Sequence, residues 1–313
     1  MRLILIIISS LLVSATIAEA QDVALFISVR DDCVDSPASP STLYIVNPST
    51  ANSKAIGPIG GFLGVTSLEF LPDGRLVGTA NNDGPEQNLR KAIFIEINPD
   101  TGAGTLIGEV GDEANDNECG RAPDITYDSA TNTLFATGDA CTPSSDDFLQ
   151  TINQMTGKGT SVGTYDPFNG RGNGIAISDN GVIFVTASEE FITVDPLTGN
   201  PTKIGDIQIS VENDEDVHVN GLAFHPITGE LYGTTIDQTE TASEKSSKLI
   251  ILDTGNGNTT IVGDLPDCTD GLVFRIIPRN VPTLSEWGLI AMAGVLGIVG
   301  LLVLALRRRK VTA

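Results

Sequence analysis

The chain has 313 residues, with 40 Asp and Glu against 18 Lys and Arg and a formal net charge of −22. Such a body repels DNA, RNA and anionic lipid, whose binding rests on Lys and Arg neutralising phosphate, so nucleic acid is excluded as a partner. Arg2 at one end and Arg307, Arg308, Arg309 and Lys310 at the other hold bases, while Glu19 is the one acid there, so residues 21–286 are more acidic still.

Residues 1–20 read as a signal peptide. Arg2 is the charged start, Leu3–Val13 is apolar but for Ser9 and Ser10, and Ala18-Glu19-Ala20 offers a small-residue cleavage site. The apolar core is shorter than the roughly 20 residues of a membrane span, which speaks against an anchor at this end. No Cys follows the cleavage site, so a lipoprotein is not expected.

Residues 21–276 carry an internal repeat of two parts. The first is an apolar strand running into a turn: Leu43–Asn47, Ile93–Asn98, Phe148–Asn153, Phe191–Asp195 and Leu249–Asp253. The turn leads into a short strand that closes on Ile-Gly or Val-Gly, at Gly57, Gly108, Gly163, Gly205 and Gly263. The second part is a pair of alternating strands joined at turns such as Asp73-Gly74, Asn180-Gly181 and Thr228-Gly229. The turn residues Asn47, Asn98, Asn153, Asp195 and Asp253 are spaced 51, 55, 42 and 58 apart. Four short antiparallel strands in about 50 residues predict an all-β protein built of β-propeller blades. The phrase resembles NHL- and YVTN-type propeller repeats, whose Gly-Leu-Ala-Phe strand, here Gly221–Phe224, is innermost. That resemblance implies a fold and no activity. A β-solenoid or a tandem sandwich is the competing architecture.

One copy of the repeat is split. Gly271–Phe274 is an inner strand with no hairpin partner after it, and Val23–Val29 is a partner with no inner strand before it. Their pairing would close five four-stranded blades and leave no free edge. Four cysteines allow three pairings. Cys119 precedes the inner strand of one blade and Cys141 follows the next strand, while Cys268 and Cys33 hold the same two points in the split blade. The expected bonds are therefore Cys119–Cys141 and Cys33–Cys268, in the oxidising compartment that export implies. A zinc site is not expected, because no C-x-x-C or nearby His pair exists.

In this scheme short hairpin turns lie on one face and long acidic loops on the other. Binding usually occupies such loops on a rigid scaffold, so the acidic face is the expected site. Its Asp112, Asp116, Asp214 and Asp216 are candidate ligands for Ca²⁺, which takes six to eight oxygens, although no D-x-[DN]-x-[DN]-G loop is present. Solvated charge that keeps a secreted protein soluble is the favoured reading of these residues. His218 is expected exposed in an acidic loop and His225 at a hairpin turn on the opposite face, neither beside a nucleophile pattern. Asn173, Asn220 and Asp270 recur around the channel mouth, where turn formation accounts for Asn and Asp as well. No catalytic residue is assigned. The expected function is a non-enzymatic binding or display protein with an unknown surface ligand. The alternatives are a carboxylate-dependent glycan hydrolase or lyase, which would need two facing carboxylates, and a structural matrix component.

Residues 277–286 are a linker, 287–306 an expected transmembrane helix and 307–313 a cytoplasmic basic tail. Gly288–Leu306 is free of charge, Trp287 is an interfacial aromatic, and the Arg-Arg-Arg-Lys cluster is a positive-inside stop. Val281-Pro282-Thr283-Leu284-Ser285-Glu286-Trp287-Gly288 resembles the IPTL-CTERM sorting tail of Gram-negative bacteria, I-P-T-L-x-x-W-G, with Val281 in place of Ile. The resemblance implies an exosortase-type protease as partner and a periplasmic, cell-surface or matrix destination, with the N-terminal side outside before processing.

Overall fold

A computed structural model describes residues 22–31, 33, 39–82, 91–111, 121–138, 147–168, 174–209, 217–237, 246–277 and 288–302, the last without 289 and 292. The chain divides into Val23–Ile276 and a second unit made of both ends, Met1–Asp22 with Ile277–Ala313.

Twenty strands lie among the described residues. The first three are β1 (Asp22–Arg30), β2 (Pro40–Val46) and β3 (Ser53–Val65). Four follow as β4 (Glu69–Phe70), β5 (Leu76–Asn82), β6 (Lys91–Ile97) and β7 (Gly104–Glu109). The next four are β8 (Ile125–Asp128), β9 (Thr133–Gly138), β10 (Phe148–Ile152) and β11 (Gly159–Thr164). Then come β12 (Ile175–Ile177), β13 (Ile183–Ala187), β14 (Glu190–Val194) and β15 (Pro201–Asp206). The last are β16 (Val217–Phe224), β17 (Leu231–Asp237), β18 (Ser247–Leu252), β19 (Thr259–Leu265) and β20 (Thr269–Ile277).

β8–β11, β12–β15 and β16–β19 are separate four-stranded sheets, and an eight-stranded sheet runs β20-β1-β2-β3-β5-β6-β7 with β4 paired to β5. The eight-stranded sheet is two blades joined edge to edge. The first takes β20 as its inner strand before β1, β2 and β3, so the N- and C-terminal strands of the ring pair with each other. The chain is thus a five-bladed β-propeller closed as its split repeat predicts. The join between blades one and two was not foreseen: Leu63 pairs with Asn81 and Val65 with Ala80. It is possible because Gly60, Gly61 and Gly64 all have positive φ, and β3 bends through them.

Among the described residues five hydrophobic clusters hold the ring, each drawn from two neighbouring blades. Leu43 packs with Leu76 and Ile95, Phe94 with Leu134, Phe135 with Ile183, and Phe191 with Ile250. The fifth joins Tyr232 and Leu249 of the last blade to Leu25 and Leu272 of the first. Because each sheet is covered on both faces, its middle strands read as continuous apolar runs.

Two further rings of contacts explain the repeat. In the outer pair of every blade the register slips at the Ile or Val that precedes the glycine: Leu43 pairs with Gly57 and Tyr44 with Ala55, Phe94 with Gly108 and Ile95 with Leu106. A Cβ on Gly57, Gly108, Gly163 or Gly205 would collide with the carbonyl oxygen of Thr101, Thr156, Thr198 or Asn256, each in the turn of the next blade. Gly263 meets Thr50 and Ala51 of the first blade in the same way. Those turns are built by the repeating Asn and Asp: Asn98 and Asn153 accept backbone N–H bonds from Thr101 and Thr156 at 3.1 Å each, and Asp195 from Thr198 at 2.9 Å.

The inner ring is made of hydroxyls. Ser28, Thr79, Thr137, Thr186 and Thr234 stand at matching points of the second strand, all fully buried. Ser28 accepts from Gly271 N and donates to Val65 O, at the end of β3 that pairs with β5 of the next blade, at 2.9 and 2.8 Å. Thr186 accepts from Gly174 N and donates to Val219 O, both at 2.9 Å. Thr234 accepts from Gly221 N and donates to Asp270 O, at 3.1 and 2.6 Å. Thr79 donates to Ala122 O at 2.6 Å. In three blades, at Ser28, Thr186 and Thr234, one small side chain therefore satisfies two buried backbone groups and stitches its blade to the next, while Thr79 pairs with Ser67 Oγ at 2.6 Å and Thr137 accepts from Asp124 N of its own blade at 3.1 Å.

The Cys33–Cys268 disulfide is present, with Cα atoms 5.1 Å apart across a sequence separation of 235. Beside it Arg30 N donates to Cys268 O at 3.1 Å. Cys119 and Cys141 lie outside the described residues. The described helical residues lie between 288 and 302, within the expected 287–306, whose residues 287 and 303–306 are outside the described ones. Among the described residues no helix is long and apolar enough to cross a membrane.

Candidate functional site

The inner strands β4, β8, β12, β16 and β20 supply the side chains nearest the propeller axis. Aligned on the repeat, Asp124 stands where three other blades have Gly174, Gly221 and Gly271 and one has Ser67. Glu69 stands where the others have Thr126, Ala176, Ala223 and Val273. These departures from the repeat put two acids in the middle of an apolar ring.

Asp124 fills the space the glycines leave. Its Oδ1 accepts from Ile125 N at 3.0 Å. Its Oδ2 accepts from Ile175 N at 2.9 Å and Leu222 N at 3.2 Å, so one carboxyl ties three blades together. It is fully buried. Burial holds the group well above the usual carboxylate range against the three N–H bonds, and neighbouring Glu69 pushes it the same way. Glu69 accepts from Phe70 N at 2.8 Å on Oε1 and from Tyr127 N at 3.0 Å on Oε2. Desolvation pushes its carboxyl up to about 8, with those two bonds opposing the shift.

Glu69 is half-buried and lines a cavity of ≈ 400 Å³ at the hairpin-turn end of the inner strands. The wall combines Thr126, Tyr127, Leu222, Phe224, Val273 and Phe274 with the turn residues Ser178, Asp179, Asn180 and His225. His225 Nδ1 accepts from Ile227 N and Thr228 N at 3.3 and 3.1 Å, which leaves Nε2 as the N–H of a neutral ring. Burial lowers its pKa further. Its ring packs edge-on to Phe274 at 5.0 Å, and Phe274 packs edge-on to Tyr232 at 5.2 Å. Aromatic surface is therefore present here without any Trp.

The expected site is on the opposite, acidic face, and most of its loop residues lie outside the described residues, so this cavity stands beside that expectation. The candidate metal ligands Asp112, Asp116, Asp214 and Asp216 lie outside them, as do Asn173 and the motif residues Val281, Pro282, Thr283, Leu284 and Trp287; Gly288 is helical. Among the described residues no three His, Cys, Asp or Glu are grouped to hold a metal ion.

Asn220 and Asp270, expected together at the channel mouth, do meet: Asn220 Nδ2 donates to Asp270 Oδ1 at 2.9 Å. Arg30 pairs with Asp270 Oδ2 at 2.7 Å, both side chains about 5% exposed or less. His218 is not an exposed loop residue. It is buried in β16, opposite Ile236 of β17, because the strand continues past a register shift between Val219 and Gly221 to Val217.

Comparison with known proteins adds two findings. Residues 281–309 match the IPTL-CTERM motif. The fold is similar to that of a GH43 β-1,3-galactosidase solved with galactodeoxynojirimycin, with a TM-score of 0.50 over 72% of this chain and 85% of that one. The two are 10% identical, a likeness of fold alone. No curated protein sequence matches the chain.

Proposed function

We propose that the chain is an exported, surface-sorted propeller that binds a ligand without transforming it, with the cavity beside Glu69 as its binding site. The IPTL-CTERM match at 281–309 supports the sorting half of this reading, through an exosortase-type protease. The signal-like residues 1–20 and the NHL- or YVTN-like repeat phrase accord with it. The hydrogen bonding of Asp124 and Glu69 carries the non-enzymatic half. Hydrolysis of a glycoside uses two carboxyls facing the substrate. Here Asp124 is enclosed by three backbone N–H groups, and Glu69 has a backbone donor on each oxygen.

A second reading, a glycan hydrolase, is favoured by one observation: a carboxyl held up to about 8 suits a general acid at neutral pH. An assay of the full chain on a panel of galactosides and other glycosides separates the two. No turnover above buffer is expected. Turnover that disappears in Glu69→Gln would replace binding by catalysis. For sorting, Pro282→Ala with Trp287→Ala is expected to leave the tail unprocessed on a mass-spectrometric readout; unaltered processing would remove the assignment.

A further inference from the structure

We propose that the Glu69 cavity takes an organic cation, a single ammonium or guanidinium group on a slender apolar stem, with the Glu69 carboxylate as its counter-charge. This rests on the cavity being a binding site and adds the class of ligand.

Charge is the first observation. The lining holds Glu69 and the exposed Asp179 but no Lys or Arg. Glu69 and Asp124 receive hydrogen bonds from backbone N–H groups only, so a half-buried and a fully buried acid sit together without a base between them. Enclosing carboxyls without a counter-ion disfavours their charged form, and a cation entering beside Glu69 offsets that penalty. Each Glu69 oxygen accepts one backbone bond and keeps a lone pair for a ligand N–H.

Shape and surroundings narrow the choice. The cavity, ≈ 400 Å³, has room for one Lys- or Arg-sized side chain. Phe224, Phe274 and Tyr127 line it, and aromatic faces attract ammonium and guanidinium groups. A Ca²⁺ ion would need six to eight oxygens, and among the described residues no three His, Cys, Asp or Glu are grouped to hold a metal ion. Anions are repelled by the acids and by the net charge of −22, which draws cations inward instead.

Binding then requires Glu69 to ionise, so a proton leaves as the cation enters. The groups around Glu69 are Asp124 and Tyr127 from the β8 region, Asp179 and His225 from the two turns, and Arg275 of β20. The last stacks on Phe70 at 5.1 Å and is not part of the lining. Below about pH 8 affinity rises with pH, and above it affinity levels off.

The test is titration calorimetry on the full chain with Nα-acetyl-arginine amide and Nα-acetyl-lysine amide, in two buffers of different ionisation enthalpy. Nα-acetyl-glutamine amide and galactose are the neutral probes, and an Arg-containing pentapeptide separates free amines from protein side chains as the source. Expected is saturable binding of the cations, roughly fivefold tighter near pH 8 than near pH 7, with proton release at the lower pH. Glu69→Gln keeps an acceptor for a backbone N–H, loses at least tenfold in affinity and loses the pH dependence. Asp179→Asn on the exposed rim loses only a few-fold and keeps it. Equal binding by Glu69→Gln, or galactose bound in place of the cations, overturns the cation while leaving the cavity a site. Binding of no probe removes both.

Discussion

Glu69 and Asp124 are each a single departure from a repeat, and each carries a thermodynamic consequence. In an unfolded chain Glu69 loses its proton near 4.5; in the folded protein it keeps it to about 8. Between those values the folded state binds a proton that the unfolded state has released, so stability falls as pH rises through that window. Asp124, raised in the same direction, adds to the slope. We predict that chemical denaturation of the full chain gives a stability that drops by a few kcal/mol from about pH 5 to about pH 8. Glu69→Gln, with nothing to titrate there, should flatten much of that decline. An unchanged slope would mean that Glu69 is already ionised at neutral pH. Both acids were readable in the sequence only as exceptions, Asp124 at a glycine position and Glu69 at an apolar one. A search for motifs passes over them, because neither belongs to a pattern. The acidic loops drew attention by density, which reports solvation as readily as binding.

At the scale of the strand and its turn, the repeat was legible because each of its residues answers to a neighbour in another blade. The Ile-Gly glycines are small because the next blade's turn carbonyl occupies the place of a side chain. Gly108→Ala should therefore destabilise the protein by about 1–3 kcal/mol or more, since backbone must move. Gly74 is the control: its φ is +89° but its Cβ would meet nothing within 4 Å, so Ala there should cost only about 1–2 kcal/mol of backbone strain. Equal losses in thermal melts of the two variants would mean the rim contact is not tight. The extension of β16 to His218 was hidden by its surroundings. Glu212, Asp214, Glu215 and Asp216 precede it and read as loop, while Val217-His218-Val219 supplies a strand alternation too short to stand out. The fusion of β3 with β5 was hidden for the opposite reason. Gly60, Gly61 and Gly64 signal a break in a strand, and here they let one strand turn from its own blade into the next.

For the molecule as a whole, the fivefold closure was legible from one orphaned strand at each end of the ring. The Cys33–Cys268 bond spans nearly all of it. A crosslink closing so long a loop removes much freedom from the unfolded chain, about 2–5 kcal/mol. Cys33→Ser with Cys268→Ser should lower the melting midpoint by about 5–15 °C while leaving the blades assembled. No change in midpoint would mean that strand pairing alone seals the ring. That seal also fixes an order of events in the life of each chain. Ser28 belongs to β1, yet the N–H it receives comes from Gly271, 243 residues later. Three of the five inter-blade clusters draw only on earlier strands, whereas the two that flank the first blade wait for Leu272, Val273 and Phe274. During synthesis the body is thus an open arc with an unpaired leading edge until β20 emerges. β20 ends at Ile277 and the tail motif begins at 281, so the chain gains the means to close just before its sorting motif is made. Position along the chain thereby works as a clock, with the label written last, on a body that already has every strand it needs.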